Sequence, residues 1–352
     1  MKKVSFPQMG DYAVPTSYLL SHILSAKIID PPKITKKTIE IGSKYSPDFV
    51  CTPFKYTLGT LIENCENGVD TLIQAGGGCR YGYYSELQEQ IIKDLGYDIT
   101  FINLVTEGKT NYKKLIKEMK KIDPKFKIIK SLYYLFITSK MIKYMDNIDD
   151  YIRKNIGFEI EKGQFLKTKK QMLQQFKKTT SYFNLRKNYH KYLKKFKNIP
   201  TNKPKKPIKV GIIGELYTVM EPFSNYYLET ELAKMNIEIT RFTTVHYLLF
   251  EKGKKIKKEI KTVKEYINYQ MGADAADNIA HTKYLCENHY DGIIHMKASF
   301  CTPEIGAMAI IQKIANAYET PVLFFTFDTN TSEVGVQTRL EAFYDMLERR
   351  KK

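Results

Sequence analysis

At both ends of the chain, short apolar runs alternate with stretches whose apolar residues recur every three or four positions. Runs at 3–6, 26–29, 69–73 and 98–104 predict strands, and 15–24, 54–67 and 85–96 predict helices. A turn and helix over 31–42 lead into a further predicted strand that ends at Cys51. The rhythm restarts with strands at 208–213, 237–240, 292–296 and 322–327 and helices at 224–235, 266–287, 303–318 and 338–347. No two predicted strands are joined by a short turn, so the expected class is α/β, with two doubly wound parallel sheets of Rossmann or flavodoxin-like kind. Between them, 107–200 is helix-compatible, lysine-rich and poor in glycine, with breaks near Asp123-Pro124 and Ile156-Gly157. A proline-rich linker over 198–207 follows. The predicted organisation is an N-terminal α/β domain at 1–106, a helical insertion at 107–200 and a C-terminal α/β domain at 201–352.

Composition changes this picture at one place. The 352 residues are 43% apolar, enough for a sizeable core, and the formal charge is +18. That excess is local: 109–209 carries 29 basic residues against 7 acidic, and the remainder is slightly acidic. Solvated lysine faces on helices account for such a segment; the functional alternative is a basic surface for an acidic partner or an anionic ligand, and nucleic-acid binding is the weakest reading. The start of the chain shows no signal peptide, and the oiliest stretch, 131–137, is too short to span a bilayer, so a cytoplasmic protein without a membrane partner is expected. In a reducing compartment the five cysteines are not expected to form disulfides; clustered ones mean metal or redox chemistry, isolated ones packing.

The candidate chemistry centres on Gln74-Ala-Gly76-Gly77-Gly78-Cys79-Arg80-Tyr, which follows the predicted strand 69–73. Cys301 follows the predicted strand 292–296, and Cys51 ends its own. Ligands of open α/β sheets bind at such strand ends. Three thiolates placed there suit an iron–sulfur cluster or zinc, with a fourth position open. Spacings of 27 and 221 intervening residues match no compact metal motif, so the argument rests on position. The amides of Gly76, Gly77 and Gly78 are placed to donate to cluster sulfides, and Arg80 to offset its negative charge. A phosphate cradle is the alternative for the glycines, without a Walker lysine or a Gly-x-Gly-x-x-Gly pattern to support it. No His and Asn or Asp stand in recognisable relation to a nucleophilic cysteine. Cys65 and Cys286, on predicted helices, read as packing. Glu215, at a strand exit, and Glu304, just after Cys301, are candidates for proton transfer, with helix-dipole stabilisation the plainer role of Glu304. His295 reads as a core histidine, and Asp277 with His281 as a capping or solvated pair or one edge of a metal site.

The stretches Lys44-Tyr-Ser-Pro-Asp-Phe-Val-Cys51-Thr-Pro-Phe-Lys-Tyr56, Gln74 to Tyr84, Gly214-Glu-Leu-Tyr-Thr-Val-Met-Glu-Pro-Phe223, Asp291-Gly-Ile-Ile-His295 with Phe300-Cys301-Thr-Pro-Glu304, and Gln337-Thr-Arg-Leu-Glu-Ala-Phe343 together resemble the acyl-CoA dehydratase activase-related proteins (CoA-protein activases) of the 2-hydroxyacyl-CoA dehydratase superfamily. The resemblance covers both α/β portions and implies a 4Fe-4S cluster on three cysteines, here Cys51, Cys79 and Cys301. In the true dehydratases an ATP-hydrolysing activator injects one low-potential electron, and the acyl-CoA substrate passes through a ketyl radical that eliminates its hydroxyl. Relatives with double-cubane clusters reduce small molecules instead. Where that family leads one to expect a Gly-Gly-His type of turn, this chain has Met271-Gly-Ala-Asp274, which loosens the carry-over toward Asp277 and His281. The resemblance implies an activator partner and is compatible with a homodimer or heterodimer. The alternative is a non-enzymatic electron-transfer or accessory subunit that docks an activator through the basic helical segment.

Overall fold

Residues 1–76, 79–104, 112–269 and 271–351 are described by the computed structural model of the chain. It divides into two compact units, Met1–Lys140 and Met141–Lys352. The first contains β1 (Lys3–Ser5), α1 (Ala13–Ile23), β2 (Lys27–Ile28), α2 (Lys36–Tyr45), α3 (Thr52–Glu66), β3 (Thr71–Gln74), α4 (Tyr84–Asp94), β4 (Thr100–Asn103), α5 (Tyr112–Ile122) and the first half of α6 (Ile128–Asn155). Its four strands are parallel, in the order β2-β1-β3-β4. Side chains alternate across a strand, and that period sorts the core: Leu72 and Phe101 join Phe54, Leu58, Leu61 and Tyr84 of α3 and α4, whereas Ile73 and Ile102 join Leu20 of α1, Leu24 just after it, and Met119 and Ile122 of α5. Helices therefore cover both faces, as a parallel sheet requires.

The helices α2 and α3 cross at two glycines. A Cβ on Gly42 would collide with the Lys55 carbonyl, and one on Gly59 with the Thr38 carbonyl. Backbone meets backbone there. A reciprocal cap between Thr35 and Thr38 starts α2, and Thr38 also donates to the buried Glu63 carboxylate across 2.7 Å.

The second unit holds the rest of α6, then α7 (Gln164–Lys177), α8 (Tyr182–Lys197), β5 (Ile208–Gly214), α9 (Leu216–Met220), α10 (Leu228–Lys234), β6 (Ile237–Arg241), α11 (Lys252–Thr262), α12 (Ala275–Glu287), β7 (Gly292–Ala298), α13 (Thr302–Ala317), β8 (Val322–Phe327) and α14 (Glu333–Lys351). Its order, β6-β5-β7-β8, repeats that of the first sheet, again all parallel. Ile213 and Ile293 pack with Ile279, Ala307, Ile311 and Ile314 of α12 and α13. In α7 and α8, Phe165, Met172, Phe176, Leu185, Tyr192 and Phe196 are buried, while Lys167, Lys170, Lys187, Lys191, Lys194 and Lys195 are exposed. Much of the charge excess thus lies on solvated helix faces. Among the described residues no helix is long and apolar enough to cross a membrane.

Three expected elements differ. The run ending at Cys51 is a turn rather than a strand: Pro47 interrupts it, Phe49 is exposed, and Cys51 precedes the first residue of α3. The helix expected over 266–287 begins only at Ala275, after a turn in which Ala273 takes a positive φ of 50°. The helix expected over 224–235 starts at Leu228, because Tyr226 and Tyr227 both adopt left-handed backbone, which a helix cannot contain.

Candidate functional site

In each sheet the direction of winding reverses beside the central strand pair, between β1 and β3 and between β5 and β7, and ligand crevices of doubly wound sheets open at that place. In the first unit the exit of β3 leads to Gly76, which is partly exposed; Gly77 and Gly78 lie outside the described residues. Cys79 follows, and its sulfur accepts from the Tyr81 amide at 3.4 Å. Arg80 opens a short 3₁₀ turn, Arg80–Tyr83, with its side chain exposed, and the turn runs directly into α4. Cys51 stands just before the Thr-Pro start of α3. A buried polar chain holds these pieces: Gln74 at the end of β3 donates to Gln88 of α4 (2.7 Å), and Gln88 donates to Thr57 of α3 (2.7 Å).

Tyr84, the first residue of α4, meets Cys51 and lies near enough to Cys79 to feel its charge. Its hydroxyl lies 2.5 Å from the Cys51 sulfur. The ring is 5% exposed, fixed edge-on to Phe54 (4.7 Å, 88°) and tilted against Tyr81 (5.0 Å). Burial, then the adjoining Cys51 and Cys79, push its pKa far up, so the hydroxyl keeps its proton and is available as a donor.

In the second unit Cys301 is buried and stands just before the Thr-Pro start of α13, the same tripeptide in the same position as Cys51-Thr52-Pro53. The residue before it, Phe300, holds φ at +63°, a conformation that costs a bulky side chain about 1–2 kcal/mol. Below it lies a closed polar network. Glu304, 1% exposed, accepts from His295 Nε2 at 2.7 Å, the tautomer that a carboxylate acceptor requires, and from Asn278 at 2.9 and 3.0 Å. Asn278 also donates to the Gly214 carbonyl at the end of β5 (3.1 Å) and accepts from the Gly214 amide (3.2 Å). Gly214 has no room for a side chain, since a Cβ would strike the Met296 carbonyl. The network therefore ties β5, β7, α12 and α13 together under Cys301.

Glu304 is thus a buried latch with no solvent contact, beyond the dipole role that its helical position alone suggested. Glu215 leaves β5 at the same switch point, and its amide donates to Met296 (2.8 Å). Its carboxylate accepts from Tyr217 and Thr218 amides (both 2.9 Å) and the Thr218 hydroxyl (2.7 Å), yet desolvation outweighs these bonds and raises its pKa to about 7.

Sequence reasoning missed Tyr84, Asn278 and Lys297. Lys297 is 6% exposed inside β7, and burial lowers its pKa against the opposing pull of Cys301 and Glu304. A lysine inside the apolar run Gly292–Ala298 was the available signal.

The remaining candidates sort cleanly. Cys65 and Cys286 are buried on α3 and α12; burial pushes the Cys65 thiol up to about 11 and raises that of Cys286, as befits packing groups. Asp277 and His281 are buried rather than solvated. Lys252 of α11 lies 2.5 Å from Asp277 and 2.6 Å from Asp274, and burial still lifts Asp277 to about 6. His281 stacks on Phe242 (4.3 Å) and is driven down to about 3 by burial, then by Lys252.

Cysteine thiolates are the usual ligands of iron–sulfur clusters, and a helix N-terminus favours a thiolate. Cys51, Cys79 and Cys301 each precede a helical turn, and none is in a disulfide. Cys51 and Cys79 belong to the first unit and Cys301 to the second. Among the described residues no group of three or more His, Cys, Asp or Glu is gathered to hold a metal ion. As donors the three thiols fit a cluster in kind.

No curated protein matches the chain. Residues 32–347 match the family described as 2-hydroxyglutaryl-CoA dehydratase, D-component, a span that takes in β3 and β4 of the first sheet, the whole of the second sheet and all three cysteines. With most of its length covered by that match, the chain belongs to the 2-hydroxyglutaryl-CoA dehydratase D-component family.

Proposed function

We propose that the chain is an iron–sulfur subunit of the 2-hydroxyacyl-CoA dehydratase type, with Cys51, Cys79 and Cys301 as ligands of a 4Fe-4S cluster that is charged by an ATP-hydrolysing activator. The observation that carries this reading is the meeting of the Cys51 sulfur with the Tyr84 hydroxyl at the exit of β3, beside Cys79. A cysteine 33 positions away is brought to a buried hydroxyl that also feels the charge of Cys79, which packing thiols do not require. Family membership supplies the acyl-CoA chemistry as the reaction class. When bound, such a cluster supplies one-electron reduction of a thioester or of another small molecule.

The chain's own residues do the rest. Helix starts hold the thiols, Gln74, Gln88 and Thr57 fix the first pair, and the Glu304 network fixes the backbone around Cys301. Glu215, with a pKa near 7 at the mouth of the second switch point, is poised to give or take a proton. An iron site left open by three protein ligands favours catalysis, and a fully protein-ligated cluster favours electron transfer to a partner. The closeness to CoA-protein activases belongs to the same proposal, as does a cytoplasmic location.

The test is iron and sulfide analysis after anaerobic purification, with EPR after dithionite reduction. About four irons per chain are expected in the native protein. Cys51→Ala, Cys79→Ala and Cys301→Ala should each lose them, and Cys65→Ala and Cys286→Ala should keep them. A native chain that stays iron-free after reconstitution sinks the proposal and leaves the second reading, an accessory subunit that docks an activator through the exposed lysines of α7 and α8.

A further inference from the structure

We propose that Tyr84 is a positioning residue for the cluster: its hydroxyl donates a hydrogen bond to the Cys51 thiolate and so sets the reduction potential. The inference rests on the cluster reading and adds a residue to it. Three observations carry it. The hydroxyl is 2.5 Å from the Cys51 sulfur. The ring is 5% exposed and cannot swing away, wedged edge-on against Phe54 of α3 and leaning on Tyr81. Tyr84 is also the residue at which the Cys79 turn becomes α4, so one side chain links the two stretches of chain that carry thiols.

The chemistry follows from charge. Reduction adds an electron to a thiolate-ligated group that is already anionic, and the added charge spreads onto the ligating sulfurs. A donor aimed at one of them stabilises the reduced form more than the oxidised form and raises the potential. Partial burial of the pair, with the tyrosine side buried, strengthens the bond relative to one in open water. A tyrosine suits the place: its hydroxyl is a neutral donor, and its ring fills the apolar gap between α3 and α4.

The test is a redox titration of the reconstituted full chain followed by EPR, with iron and sulfide measured on every sample. Tyr84→Phe removes the hydroxyl and keeps the ring. It should retain native iron and shift the reduction equilibrium about tenfold toward the oxidised form, which for one electron is about 59 mV lower. Incorporating 3-fluorotyrosine at position 84, a stronger donor of nearly the same shape, should move the potential upward, and it reports on the donor even if the phenylalanine variant folds poorly. Full iron with native potentials in both variants overturns the role of Tyr84 and leaves the cluster standing. A folded Tyr84→Phe chain that binds no iron overturns potential-setting in favour of assembly. An iron-free native chain removes the cluster reading, and the inference with it.

Discussion

At the scale of single residues, burial acts on His281 and on Tyr84 in ways that solution experiments can read. His281 is 8% exposed, and its pKa is held near 3 against 6.5 for an ordinary histidine. Between those values the unfolded chain takes up a proton that the folded chain refuses, so this contribution to stability is complete above pH 6.5 and is lost as the pH falls. From pH 7.5 to 4.5 this residue should remove about 2–3 kcal/mol of unfolding free energy, while the raised pKa values of Glu215 and Asp277 act in the opposite direction, so the readout is the difference between the urea profiles of the native protein and of His281→Phe. His281→Phe keeps an aromatic ring against Phe242 and should gain about 2–3 kcal/mol relative to the native protein between pH 7.5 and 4.5; parallel profiles would assign no acid sensitivity to His281. The three candidate cysteines stand out in the sequence because cysteine is rare, with five in the chain, and because glycines precede Cys79. Tyr84 does not. It is one of 26 tyrosines, and its contact with Cys51 spans 33 positions, a distance that no local pattern encodes.

At the scale of elements, periodicity located most helices and strands because the core enforces it. Leu72 and Ile73 must face opposite sides of a sheet, and the helices that cover those sides repeat their apolar residues to match. It failed where backbone conformation, rather than side-chain pattern, decides. Tyr226 and Tyr227 take positive φ without a glycine to announce it, and Pro47 turns a stretch that otherwise reads as a strand. The crossing of α2 and α3 is a similar case, since Gly42 and Gly59 look ordinary in sequence and prove to be points of backbone contact. Alanine at either position must push the helices apart. Each single substitution should cost about 2–4 kcal/mol by chemical denaturation, comparable to a severe overpacking change. A loss under 0.5 kcal/mol, the size of an ordinary surface change, would mean that the crossing adapts. Because α3 also carries the residues that follow Cys51, a loosened crossing should, on the cluster proposal, lower iron retention alongside stability.

At the scale of the molecule, two sheets share one strand order, and the tripeptide Cys-Thr-Pro opens a helix in each unit. The alternation of strands and helices exposed this architecture in the sequence. The basic character of 109–209 was equally legible, and the structure shows its lysines on the outside of α7 and α8. Such a face attracts any polyanion, with an affinity that collapses as salt rises. Reversing Lys187, Lys191 and Lys194 to glutamate should abolish retention on heparin at low salt and shift the thermal midpoint by no more than about 2–4 °C, the size of a 1 kcal/mol change. An unchanged elution would move the electrostatic footprint away from α8.

The division of the thiols between the two units also bears on how the protein is made. Strand β4 completes the first sheet long before Cys301 is translated. At about 5–20 residues per second, on the order of ten to forty seconds separate the synthesis of Cys79 from that of Cys301. Throughout that interval a nascent chain carries two of the three candidate thiols without the third. On the proposed ligand set the full complement of three thiols exists only once the polypeptide is finished, so iron loading would follow translation rather than accompany it.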